Sequence, residues 1–183
     1  PDEALLEQYR ERQREAAERE RLLARLADVA CVTQDGCRVT MLANIERPEE
    51  AEDAVRAGAE GIGLFRSEFL FLNRCQLPDE EEQYRAYRQV LETLQGRPVT
   101  IRTIDVGADK ILPAQALIPG ATSALGRRAI RYSLAEPEMF LVQLRALLRA
   151  SVHGNLQILL PMLTQPHEVD EAMLLLAQAR QDL

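Results

Sequence analysis

Four short apolar runs alternate with helical patterns along this chain of 183 residues, and that alternation limits the fold more than any single residue does. Arg38-Val39-Thr40-Met41-Leu42-Ala43, Gly61-Ile62-Gly63-Leu64-Phe65, Pro98-Val99-Thr100-Ile101-Arg102-Thr103-Ile104 and Leu156-Gln157-Ile158-Leu159-Leu160-Pro161-Met162 each read as a strand. Short, apolar and bounded by Gly, Pro or Asp, such runs suit buried strands. The stretches between them are long enough to hold helices, which predicts parallel βα units rather than hairpins. An eight-unit barrel takes about 250 residues. Four units therefore predict half a barrel or a small open sheet.

The helical segments carry their own start and stop signals. Arg47-Pro48-Glu49-Glu50 opens a helix with Pro near the first turn and acids at the positive end, and that helix stops at Ala57-Gly58. A second runs from about Asp79 to Leu94, before Gly96. After an irregular Pro- and Gly-bearing stretch at 105–124, helix is expected near 126–133 and at 136–152. In the latter, Phe140, Leu144, Leu147, Leu148 and Ser151 make one face at 3.6-residue spacing. The last helix, about 166–182, is expected to bury Val169, Met173, Leu176 and Ala177. It reaches the final residue without a C-cap signal, and the chain opens Pro-Asp-Glu without Met; both predict a piece of a longer protein.

Residues 1–27 read as a polar helix. Tyr9, Ala16 and Leu23 recur every seven residues, but Arg12 and Arg19 interrupt the stripe, so a solvated connector fits better than a coiled-coil seam.

Composition narrows the function. The apolar fraction is 46% and the charged fraction 28%, as in soluble globular proteins. No apolar run approaches the roughly 20 residues that span a bilayer, and no signal peptide is visible. The net charge of -7 argues against nucleic acid as a partner. Cys31, Cys37 and Cys75 lack disulfide-frame or zinc spacing, which predicts a cytoplasmic setting.

Ligands of βα proteins gather at the carboxyl ends of the strands. Asn44 follows the first strand. Arg66, Ser67 and Glu68 follow the second. Arg102 lies near the end of the third, with Asp105 just beyond. Two arginines at equivalent strand ends suit an anionic substrate, because guanidinium binds carboxylate and phosphate through two parallel donors. Rim salt bridges, Arg66 with Glu68 and Arg102 with Asp105, fit the spacing equally well. Asp105-Val106-Gly107-Ala108-Asp109-Lys110 departs from the P-loop pattern, and Lys110 suits a phosphate contact or a plain surface position. Arg128 and Arg131, three apart, share a helix face that is either solvated or a further anion contact. His153, before Gly154, and His167 read as structural.

Longer blocks of the chain resemble a known family. Gly58 to Phe71, Gln76 to Tyr84, Val99 to Lys110, Ala124 to Arg131 and Gln143 to Ser151 are similar to signatures of enzyme I of the bacterial phosphoenolpyruvate:sugar phosphotransferase system. The resemblance runs from about residue 39 to the end. It implies a partial TIM-type (β/α)8 barrel of the phosphoenolpyruvate-utilising family, with residues 1–37 as linker helix and connector and 38–183 as the barrel's N-terminal half. By resemblance, Arg66 and Arg102 grip the phosphate of phosphoenolpyruvate, Arg128 adds a contact, and Asn44, Asp105 and Lys110 shape the same rim.

The family moves phosphate from phosphoenolpyruvate to a histidine on its own swivelling domain and then to the carrier HPr, for sugar uptake. It uses Mg²⁺ and acts as a homodimer in the cytoplasm, without membrane insertion. The resemblance places the magnesium carboxylates, another arginine and a catalytic cysteine beyond Leu183, and the phosphorylated histidine before Pro1. The piece alone is then expected to be inactive, with no catalytic or metal-binding residue of its own. The alternative is a stand-alone regulatory half-barrel that binds anions without catalysis. The sequence departs from the family at Thr122-Ser123, where Asn-Pro is usual, and at Ala108 and Glu46, both often Gly.

Overall fold

The computed structural model describes residues 3–72, 74, 76–106 and 126–183. Helix α1 (Glu3–Ala24) leads into a small hairpin and then into four strands, β1 (Leu42–Ile45), β2 (Gly61–Arg66), β3 (Pro98–Arg102) and β4 (Asn155–Leu159). They form one sheet in the order β1-β2-β3-β4, every neighbour parallel. Helix α2 (Glu50–Arg56) joins β1 to β2, and α3 (Glu80–Leu94) joins β2 to β3. Helices α4 (Ala129–Ala135) and α5 (Pro137–Ala150) precede β4, and α6 (Pro166–Gln181) follows it. This is the mixed α/β architecture expected from the alternation.

Local signals account for most boundaries. The Asp79 carboxylate accepts from the Glu82 amide at 2.8 Å and caps α3. At the start of α6 the Glu168 carboxylate reaches back to accept from the Gln165 amide at 2.9 Å. Gly58, at φ +87°, ends α2 in a left-handed turn that a side chain would strain. Gly61 is needed for a different reason: a Cβ there would lie 2.5 Å from the Pro98 carbonyl oxygen on β3.

The first strand differs from expectation. It begins at Leu42 rather than Arg38, because the turn at Asp35-Gly36 pairs its own flanks. Thr33 donates its amide to the Cys37 carbonyl and Val39 donates to that of Cys31, both at 2.9 Å. Val32 and Arg38 form the antiparallel bridge between them. Residues 38–41 are thereby spent on the hairpin and its exit. The third strand ends at Arg102 and the fourth at Leu159, each earlier than expected.

One face of the sheet carries the core. Ile45, Ile62, Phe65, Val99 and Ile101 pack against Ala51 and Ala54 of α2, Tyr87, Val90, Leu91 and Leu94 of α3, and Ala146, Leu147 and Ala150 of α5. Burying one large apolar side chain contributes about 1.5–3 kcal/mol, so this layer dominates stability. A second cluster joins Ile130 of α4, Phe140, Leu141 and Leu144 of α5, and Ala172 and Ala179 of α6. Strand alternation turns Asn44, Arg66, Thr100, Arg102, Gln157 and Leu159 to the opposite face, where all are exposed or half-buried.

Helix α6 corrects a second expectation. Val169, Met173 and Ala177 are exposed, while Glu168, Ala172 and Ala179 are buried. The buried stripe is rotated by about one residue, some 100° on a 3.6-residue helix. Small alanines let α6 approach α5 closely, which the larger side chains would prevent. Leu176 is half-buried, as part of this packing.

Candidate anion-binding site

Arg66 and Arg102 are direct register partners at the carboxyl ends of β2 and β3. Phe65 and Ile101, the residues before them, point into the core and fix both arginines on the opposite face. Phe69, in the 3-10 turn that follows β2, lies under the Arg66 guanidinium, 5.1 Å from its centre.

A chain of alternating charge runs through the pair. Glu46 binds Arg66 Nη1, and Arg66 Nε lies 3.3 Å from Glu68 Oε1. The same Glu68 oxygen accepts from Arg102 Nη2. Arg102 Nη1 lies 2.9 Å from Asp105, whose other oxygen lies 3.4 Å from Arg128 Nη2. Three guanidiniums and three carboxylates therefore alternate as Glu46, Arg66, Glu68, Arg102, Asp105, Arg128. Both rim salt bridges compatible with the spacing are present, but as links in one network.

Burial is graded along it. The Glu68 side chain is 4% exposed and Arg102 17%, whereas Arg66 and Glu46 are 35% and 41% exposed. The buried middle also has unmet valences: Glu68 Oε2, Arg102 Nε and Arg128 Nε have no hydrogen-bond partner among the described residues. A buried polar atom without a partner is costly, and two free N–H groups against one free carboxylate oxygen leave the cluster able to take a further acceptor.

The predicted site residues fare differently. Arg66, Arg102, Asp105 and Arg128 come together. Asn44 shares their face, in register with Leu64, but its side chain is not part of this ion-pair network. Lys110 lies outside the described residues. Arg128 stands in extended conformation before α4, which starts at Ala129 and not at 126. The shared helix face expected for Arg128 and Arg131 is consequently absent, and Arg131 turns back to the Gly126 carbonyl at 3.0 Å. His153 closes the 3-10 turn that follows α5, 3.0 Å from the Tyr84 hydroxyl. Glu46, known beforehand only as a departure from the family, is an addition to the site.

Below the arginines lies a buried polar network. Ser67 Oγ donates to the Arg102 carbonyl at 2.5 Å, tying the end of β2 to the end of β3. Gln143 of α5 donates to Ser67 Oγ and to the Tyr87 hydroxyl, and accepts from the Ile104 amide. Tyr87 donates onward to Gln83, which donates to the Pro78 carbonyl. Burial pushes the Tyr87 hydroxyl well above the ordinary tyrosine range, which keeps it a donor.

The carboxylates of the cluster do not suit a metal. Glu46, Glu68 and Asp105 each face at least one arginine, and among the described residues no group of three or more His, Cys, Asp or Glu could hold an ion. A wider groove of about 700 Å³ lies between the hairpin and the first βα unit, lined by Leu26, Val29, Val32, Met41 and Leu42. Its one cation, Arg38, is paired with Glu60 at 2.7 Å, so it lacks the chemistry for an anion. No helix among the described residues is long and apolar enough to cross a membrane.

Comparison with known proteins agrees with the chemistry of the cluster. Residues 20–183 match the family model described as PEP-utilising enzyme, PEP-binding domain. The chain is 52% identical over its whole length to the phosphoenolpyruvate-protein phosphotransferase of Cupriavidus necator, of which it covers 32%. It is 44% and 40% identical to those of Geobacillus stearothermophilus and Bacillus subtilis, again over its whole length and 32% of theirs. It thus spans about a third of the curated relatives it matches. The extent of the family match and the arginine-rich strand ends lead to one assignment: this chain belongs to the PEP-utilising enzymes, as part of their PEP-binding domain.

Proposed function

We propose that this chain is the phosphoenolpyruvate-holding part of a phosphoenolpyruvate-protein phosphotransferase, and that Arg66, Arg102 and Arg128 hold the phosphate. The observation that carries this reading is the side-by-side placement of Arg66 and Arg102 at two parallel strand ends, joined through Asp105 to Arg128. Such a set neutralises a multiply charged phosphate and holds it without offering a nucleophile. Phosphoryl transfer asks for just that, since its catalysis is mostly positioning and charge stabilisation.

The resting cluster is already neutral, so phosphate must displace some carboxylate. Glu46 is the natural group to yield: it is among the most exposed members and leaves for water at little cost. Glu68, almost wholly buried, stays between the two arginines and orients them. In this reading the P–O bond of phosphoenolpyruvate breaks and a P–N bond forms to a histidine on another domain. The enolate left behind takes up a proton to give pyruvate, and the phosphate passes on to HPr. Asn44 and Lys110 are assigned to the same rim, residues 1–37 to the connector and residues 38–183 to the first half of a (β/α)8 barrel. The Mg²⁺ expected from the resemblance finds no free ligand set among the described residues.

The test is calorimetric titration of the chain with phosphoenolpyruvate, with and without Mg²⁺, beside an Arg66→Ala/Arg102→Ala variant whose fold is checked by circular dichroism. Binding that the variant loses, with little Mg²⁺ dependence, supports the reading. Equal binding by the two proteins, or none by the folded chain, overturns it.

A further inference from the structure

Gln143 stands out as a buried side chain that uses every hydrogen-bonding group it has. It is 1% exposed, on a face of α5 otherwise given to the core. Its oxygen accepts from the Ile104 amide at 3.1 Å, and its nitrogen donates to Ser67 Oγ at 3.1 Å and to the Tyr87 hydroxyl at 3.0 Å. Those partners are not scattered. Ser67 directly follows Arg66, and Ile104 sits between Arg102 and Asp105. One amide thus touches the backbone segments that carry three of the four clustered site residues.

The bond to Ile104 matters most. Without Gln143, Ser67 still donates to the Arg102 carbonyl and Tyr87 still donates to Gln83. The buried Ile104 N–H has no other acceptor in this set. Thr103, one residue earlier, is still held by the Leu159 carbonyl at 3.0 Å. Beyond Thr103 the chain leaves the sheet: Ile104 and Val106 pack with Phe71 and Tyr132, the Val106 carbonyl accepts from the Ala129 amide at 3.2 Å, and Gln143 holds the Ile104 amide, next to the Asp105 carboxylate that links Arg102 to Arg128.

We propose that Gln143 is a positioning residue for the anion site, setting the geometry of Arg66, Arg102 and Asp105 through Ser67 and Ile104 without touching the substrate. This rests on the reading of the cluster as a phosphoenolpyruvate site. It differs from a purely structural role, in which a buried amide stabilises the core and any loss acts on stability alone.

Tyr87 supplies the contrast. Tyr87→Phe removes two buried hydrogen bonds from the same network, the one it donates to Gln83 and the one it accepts from Gln143, but leaves the Gln143 contacts to Ser67 and Ile104 intact. Gln143→Met keeps the shape and removes all three. Both variants should melt at lower temperature. Only Gln143→Met should weaken phosphoenolpyruvate binding, by about tenfold, as expected when one buried hydrogen bond no longer aligns the site. Binding is measured well below both melting temperatures. Hydrogen exchange at the Arg102 Nε–H, followed by NMR without ligand, should likewise quicken in Gln143→Met and not in Tyr87→Phe. Unchanged affinity and exchange in Gln143→Met, or equal effects in both variants, overturns the proposal. Should the unaltered chain bind no phosphoenolpyruvate, the anion-site reading fails, while the exchange comparison still decides whether Gln143 orders Arg102.

Discussion

Arg66 and Arg102 face one another across two parallel strands, and a single oxygen, Glu68 Oε1, accepts from both. Two like charges at adjacent strand ends would repel, and the buried carboxylate between them makes the arrangement stable. Removing one partner of a buried ionic set costs roughly 3–5 kcal/mol, because it strands the charges that remain. Glu68→Gln keeps the shape and deletes the charge. Its unfolding free energy in urea should fall by about that amount. A change below ~1 kcal/mol would mean that the two arginines do not depend on Glu68.

Glu46 is expected to act in the opposite sense on binding. Its pair with Arg66 is half-exposed, and such pairs contribute about 0.2–1 kcal/mol. That energy must be given up when phosphate takes the same guanidinium. Glu46→Gln should therefore leave the melting temperature nearly unchanged and tighten phosphoenolpyruvate binding by roughly two- to fivefold. Glu49→Gln, which removes the same charge three residues away, controls for net charge and should tighten it less. Equal effects from the two substitutions would reduce Glu46 to a bulk electrostatic contribution.

The history of these residues shows what a sequence can and cannot disclose. Arg66 and Arg102 were legible because strand ends can be read from short apolar runs and ligands gather there. That they are register partners was not, since register depends on how Gly61 and Pro98 meet across two strands. Glu46 and Arg66 are 20 residues apart and Arg102 and Glu68 are 34 apart, distances over which no local pattern carries information. Gln143 was hidden for another reason. On an amphipathic helix a lone amide reads as the edge of the apolar face, and only the packed structure reveals its three partners.

Acid should loosen the contact between α3 and α5. Glu80 lies 2.7 Å from Arg145 and 2.8 Å from Arg149, and Arg149 stacks 4.2 Å over the Tyr84 ring. Burial acts to raise the Glu80 carboxyl, but hydrogen bonds from the two guanidiniums outweigh it and hold it below the ordinary glutamate range. A carboxyl lowered on folding stabilises the fold above its unfolded value, about 4.3, and that contribution is lost as pH falls through the folded value. Melting temperature should hold near neutral pH and drop below about pH 4.5. Glu80→Gln should start lower at neutral pH and decline less steeply. Parallel curves for the two proteins would assign the acid sensitivity to other carboxyls, of which Glu168, held down by the Thr164 amide, is the first to test.

The rotated face of α6 gives the last prediction. Counting large apolar residues places Val169 and Met173 inward, yet Met173 is 53% exposed and Ala172 only 2%. Ala172 and Ala179 lie where α6 meets Phe140, Leu141 and Leu144 of α5, so the contact is close because its side chains are small. Enlarging such a position forces neighbours from their rotamers and costs about 1–3 kcal/mol. Ala172→Leu should lower stability by that much in urea unfolding. Met173→Ala should change it by less than ~0.5 kcal/mol, because a side chain already in water has little burial to lose. The reverse ranking would mean that Met173 is covered in solution and that the stripe read from the sequence is the buried one.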